Sequence, residues 1–238
     1  MTEVKKEVFA RYLDLIMLKG ESNSREAVVS SSKDSNEVLL VTSNKVVGLR
    51  GTYKSGLGDL GTIGLDNIKI ISDFVKTIPT KDISIEVASN KLVVRSQDKN
   101  SVLKATLRSP EYILNTIDSK KFDALVSKAG EGRITIKGSD ISNIINYLSI
   151  ITAANVTLKK VGTVLQIRVG DDQNDIGAKL TVEGTCNDFT VKLPNLWIDL
   201  LSVVGSNDLI IGSQENAPLY MKVDNTSYLF EYIVSPTV

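Results

Sequence analysis

One pattern recurs along the 238-residue chain, three times as a short strand, an amphipathic helix and three strands, and once at the start as the helix and three strands. The clearest copy starts at Arg133. Residues 134–138 alternate apolar and polar side chains with the period of a strand. From Ser139 the apolar positions Ile141, Ile144, Ile145, Leu148 and Ile151 fall three and four apart, the period of a helix. Ser139 is placed to cap that helix, and strand-like runs follow at 155–159, 163–169 and 176–183. The next copy has a strand at 188–193 and Pro194 in the first turn of a helix. Leu196, Trp197, Leu200, Leu201 and Val204 form its apolar face and Gly205 its stop, with strands at 208–212, 219–224 and 228–234.

The N-terminal half reads the same way. Val8, Phe9, Tyr12, Leu13, Ile16 and Met17 make an amphipathic helix ending near Gly20, followed by strands at 27–31, 37–41 and 45–52. A strand at 60–65 leads into a helix from Asp66, with Ile68, Ile71, Phe74, Val75 and Ile78 on one face and Pro79 at its end. Strands at 83–87, 92–95 and 102–107 complete the round. Short echoes keep a common order: Tyr12-Leu13 answers Tyr147-Leu148, Leu65-Asp66-Asn67 answers Leu193-Pro194-Asn195, and Ser-Pro recurs at Ser109-Pro110 and Ser235-Pro236. An internal duplication explains that order. The expectation is an α+β chain of two similar βαβββ-βαβββ domains, 1–108 and 132–238, joined by a surface connector at 109–131.

Composition removes several classes of function. With 42% hydrophobic and 24% charged residues the chain builds a core. Lys+Arg and Asp+Glu stand at 28 each. Either there is no nucleic-acid partner, or positive charge is confined to one surface and offset elsewhere. Cys186 is the single cysteine, so no disulfide forms within the chain. The first residues lack the apolar core of a signal peptide, and no run of 18 apolar residues exists. The expectation is a soluble, cytoplasmic protein in a reducing compartment with no membrane partner.

Histidine is absent, which removes the usual general base and the commonest zinc ligand. No phosphate-binding loop of the G-x-x-x-x-G-K-[ST] type occurs. Gly56, Gly58 and Gly61 match G-x-G-x-x-G, but a polar stretch precedes them and another strand separates them from the next helix, so they read as a loop. Asp171, Asp172 and Asp175 cluster without the glycine and distal glutamate of a calcium loop and read as a hairpin turn. No enzyme, cofactor or metal is expected.

Two such domains joined by a connector resemble the two-domain sliding DNA clamps: proliferating cell nuclear antigen (PCNA), its archaeal relatives and T4-type phage clamps. Ala217-Pro218-Leu219-Tyr220-Met221 and Tyr232-Ile233-Val234-Ser235-Pro236 resemble the closing strands of that family, and residues 136–145 (IKGSDISNII) resemble the start of the second domain in phage clamps. The resemblance implies the DNA-clamp fold in a head-to-tail homotrimer, a closed ring with helices lining a central hole and antiparallel sheets outside. Double-stranded DNA would be encircled without base readout, and DNA polymerase and clamp loader would bind through short peptides.

By position, the subunit interface would pair Val102, Leu103, Lys104, Ala105, Thr106 and Leu107 with Ile176, Gly177, Ala178, Lys179, Leu180, Thr181 and Val182 of a neighbour. The peptide pocket would be lined by Pro218, Ile233, Val234, Ser235 and Pro236, carried over by motif. Tyr112, Ile113, Leu114 and Ile117 would form its other wall, unless those side chains only pin the connector to the sheet. Lys5, Arg11, Lys19, Lys69 and Lys76 would face DNA. Lys69 and Lys76 are seven residues apart, two helical turns, opposite the apolar face. The four helices together are nevertheless neutral: Asp140 and Asp199 are the only charges at 139–152 and 195–204. Simple solvation of these lysines stays open, as do a clamp-like monomeric processivity factor and a β-rich structural protein such as a virion component.

Overall fold

The computed structural model describes residues 1–18, 26–33, 35–42, 44–148, 150, 155–170 and 175–237. The chain divides into two compact units, neither a single stretch. The first comprises Met1–Lys45, Leu49–Ile117 and Thr226–Phe230, the second Val46–Gly48, Asp118–Asn225 and Glu231–Val238.

The first unit opens with β1 (Thr2–Lys5), α1 (Lys6–Met17), β2 (Ala27–Ser31), β3 (Asn36–Val41) and β4 (Val47–Tyr53). It continues with β5 (Gly61–Leu65), α2 (Ile68–Thr77), β6 (Asp82–Ala88), β7 (Lys91–Ser96) and β8 (Val102–Arg108). These strands lie in the order β1-β6-β7-β8-β5-β2-β3-β4. The periodicity places both helices and seven of the strands. It misses β1, a short charged strand in which only Val4 is buried.

The core of this unit forms where α1 meets the sheet. Tyr12, Leu13, Leu15 and Ile16 are all buried, and the Tyr12 ring packs 5.5 Å from both Tyr53 and Phe230. Burial pushes the Tyr12 hydroxyl well above its ordinary range. Across β3 and β4 the buried Asn36 amide exchanges two hydrogen bonds with the Tyr53 backbone, at 2.6 and 2.7 Å. α1 and α2 pack on each other, and the Lys6 ammonium donates to the Ile78 carbonyl at 2.9 Å, closing the C-terminus of α2.

The second unit holds α3 (Ser119–Lys128), β9 (Ile134–Ile136), α4 (Gly138–Leu148), β10 (Asn155–Val161), β11 (Val164–Gly170) and β12 (Asp175–Thr181). It continues with β13 (Glu183–Gly184), β14 (Phe189–Pro194), α5 (Leu196–Val204), β15 (Leu209–Gly212), β16 (Leu219–Asp224) and the end of β17 (Tyr228–Val234). One sheet has the order β12-β11-β10-β14 and another runs β17-β16-β15-β9-β13.

Three local readings are corrected here. Ser139 is not the cap of α4. The helix starts at Gly138, whose N–H donates to Asp208 at 2.9 Å, and that bond holds the Asp208 carboxyl below the usual carboxylate range. Pro194 closes β14 opposite Asn155 rather than opening α5. The stretch 109–131 is more than a connector: it contains α3, capped by Asp118, which accepts from the Lys121 N–H at 2.9 Å. The polar run at 115–123 hid a helix whose core contact is the single side chain Phe122, fully buried.

Among the described residues no helix is long and apolar enough to cross a membrane.

Candidate functional site: edge strands, helix faces and connector

Each unit presents a strand with an unsatisfied edge. β12 ends its sheet and, among the described residues, pairs only with β11, from Val164↔Thr181 to Gly170↔Asp175. Its side chains alternate between half-buried and exposed, none fully covered. β8 pairs along one edge with β7 over Val102–Thr106, while among the described residues its other edge meets β5 only at Gly64↔Arg108 and Leu65↔Leu107. A Cβ on Gly64 would overlap the Arg108 carbonyl oxygen, so this close approach requires glycine. The exposed backbone donors and acceptors of two such edges can pair with other strands.

Two of the expected interface residues leave this set. Leu107 is buried and already paired, and Val182 lies beyond β12, buried, its N–H donating to Thr163 at 2.8 Å. Beside β12, α4 leaves a groove of about 310 Å³ lined by Asn143, Ile144, Tyr147, Ala178 and Leu180, with Tyr147 exposed.

The outward faces of the helices are nearly neutral. Lys69 pairs with Asp73 one turn on at 2.6 Å, and Lys76 reaches across to Asp14 of α1, also at 2.6 Å. Asp14 accepts from the Ser72 hydroxyl too, at 3.0 Å. Lys5 pairs with Asp82 at 2.7 Å. Arg11 is half-exposed on α1, and Lys19 lies outside the described residues. α4 and α5 turn Ser142, Asn143, Asn146 and Asp199 outward and contain no Lys or Arg.

After β8 the connector is held at three points within the first unit. Ile113 is buried against Gly64, the Leu114 N–H donates to Glu26 at 3.3 Å, and the Val41 N–H donates to the Asn115 carbonyl at 3.1 Å. Glu26 also binds Arg108 at 3.0 Å. Along this segment the side chains of Tyr112 and Leu114 point outward, 62% and 83% exposed. Ile117 is half-exposed. In the second unit Pro218 and Ser235 are half-exposed and Pro236 is exposed. The pocket assignment is corrected at Ile113, Ile233 and Val234, which are buried at 3%, 1% and 0% exposure. Ile113 turns inward in an extended segment, and the closing residues of β17 are covered on both faces, so these three side chains belong to the core.

The segments set aside as chemistry behave as structure. Gly56 and Gly58 in the β4–β5 loop and Gly61 at the start of β5 all take positive φ, and no helix follows until Ile68. Cys186 is buried, its thiol donating to the Ser213 carbonyl at 3.3 Å. Asp175 pairs with Arg168, whereas Asp171 and Asp172 lie outside the described residues. Among the described residues no group of His, Cys, Asp and Glu could hold a metal.

No protein-family model matches the sequence. A search of curated proteins finds no relative. The architecture, in contrast, is shared with solved structures over nearly their whole length. PCNA of A. fulgidus, solved with the C-terminal region of FEN-1 bound, superposes with a TM-score of 0.81 at 17% identity, covering 99% of this chain and 97% of that one. PCNA of Thermococcus kodakaraensis gives 0.79 at 12% identity over 99% and 100%, and PCNA of Entamoeba histolytica 0.76 at 12% over 98% and 96%.

The chain has the sliding-clamp fold.

On this clamp fold, reading the sequence missed Glu26, and it counted Asp14 and Asp73 in the helix charge without assigning them partners. Asp73 carried a signal, since it stands four residues after Lys69 on one helix. Glu26 and Asp14 carried none, because their partners are 82 and 62 residues away.

Proposed function

We propose that this chain is a non-catalytic sliding clamp, a homotrimeric ring that encircles double-stranded DNA and tethers a polymerase where DNA is copied. The observation that carries this reading is the pair of open edges, β8 in one unit and β12 in the other, on a clamp fold. A head-to-tail contact between different edges generates a ring when its rotation closes. The exposed Tyr112 and Leu114 support a partner site for short peptides of polymerase and clamp loader, since a few aromatic or aliphatic anchors dominate such contacts.

Topological binding is tested by loading the protein on a circular plasmid and then cutting the circle once. Retention on the circle and rapid loss from the linear form is the expected result. Equal lifetimes on both would show ordinary affinity and overturn the reading.

Replacing Tyr112 and Leu114 together by serine should weaken binding of a polymerase-tail peptide at least tenfold while the oligomer stays intact, each anchor being worth about 2 kcal/mol. Unchanged titration calorimetry would move the partner site off the connector.

A further inference from the structure

We propose that Asp14 and Asp73 are neutralising residues that keep the DNA-facing helices from gripping phosphate, so that the encircled duplex is held by ring closure alone. This rests on the clamp reading above. Cations expected to face DNA are held in ion pairs: Lys5 with Asp82 at 2.7 Å, Lys69 with Asp73 and Lys76 with Asp14 at 2.6 Å. α4 and α5 add no Lys or Arg.

Such exposed pairs contribute little to stability, so folding alone does not explain the two that neutralise Lys69 and Lys76 on α2. Their effect on a passing polyanion is large by comparison. Opposite charges within 3 Å of each other present no net charge at a Debye length of about 8–10 Å. A phosphate that captured Lys76 would also sit beside the Asp14 carboxylate it displaced. DNA-binding proteins draw affinity from the counterions that cations release, about 0.9 in the slope of log K against log salt per phosphate neutralised. This surface forgoes that gain.

The test measures binding of a short linear duplex to the full-length protein between about 50 and 200 mM salt. The wild type should bind weakly, with a slope below that of about one phosphate. Asp14→Asn with Asp73→Asn should bind more tightly and steepen the slope by up to about 0.9 per freed lysine. Adding Lys69→Gln and Lys76→Gln should restore the wild-type slope. Asparagine still accepts the bond from Ser72, and if the double variant does not fold, Asp73→Asn alone should give half the change. A wild-type slope of several phosphates, or an unchanged slope in the folded acid variants, overturns the proposal. The cut-plasmid measurement on the wild type separates the two readings. Loss from the intact circle sinks both, whereas retention with an unchanged variant slope sinks only the neutralising role.

Discussion

Proline scanned through β12 is expected to convert a species of three times 25.9 kDa into a monomer of 25.9 kDa at one of two adjacent positions, Ala178 or Lys179. On an edge strand alternate N–H groups point into the sheet and away from it. Proline at the inward position removes a β11 hydrogen bond and unfolds the sheet. At the outward position it leaves the sheet intact but removes a donor from the open edge and sets its ring against any partner strand. Scanning Lys104 and Ala105 in β8 should give the same pair of outcomes. Each lost donor costs about 0.5–1.5 kcal/mol, and the clash of the proline ring with the partner strand adds to it. Light scattering with circular dichroism reads both quantities. A folded trimer at all four positions would place the interface elsewhere than these edges.

Phe122→Ala should release α3 while the rest of the second unit stays folded. Phe122 is the helix's only fully buried side chain, and its removal costs about 3–5 kcal/mol. A ten-residue helix has little stability of its own in water. Asp118 at its start and the bond from Gln214 to the Lys128 carbonyl at its end do not offset such a loss. Amide hydrogen exchange over 122–129 should accelerate by roughly 10²–10³-fold, with β9 and β15 still protected. Acceleration spreading to those strands would make Phe122 part of the unit's common core rather than the anchor of one helix.

Much of the fold was legible in local pattern. β2 and β17 fall where alternation puts them, and α2 stops before Pro79 because no helix continues through the residue preceding that ring. The absence of histidine and of a phosphate-binding loop excluded common chemistries before any coordinates. Of the elements that escaped, β1 buries one side chain and has no period to detect, whereas α3 carries a short period at Phe122, Leu125, Val126 and Ala129 that the polar run before it masked.

Four features were decided only by tertiary structure, each by residues far apart in sequence. Asp208, 70 residues from Gly138, caps α4 in place of the adjacent Ser139. Ile113, Ile233 and Val234 went to the core because neighbouring segments cover them, which their own hydrophobicity does not specify. β8 and β12 became edges through strand order. The helix charges sum to zero in the sequence, but the pairing of Lys76 with Asp14 on the other helix was settled by the fold. Periodicity records what lies within a helical turn or a pleat; edges, caps and neutralised charges depend on which distant surface arrives, and only the folded chain settles that.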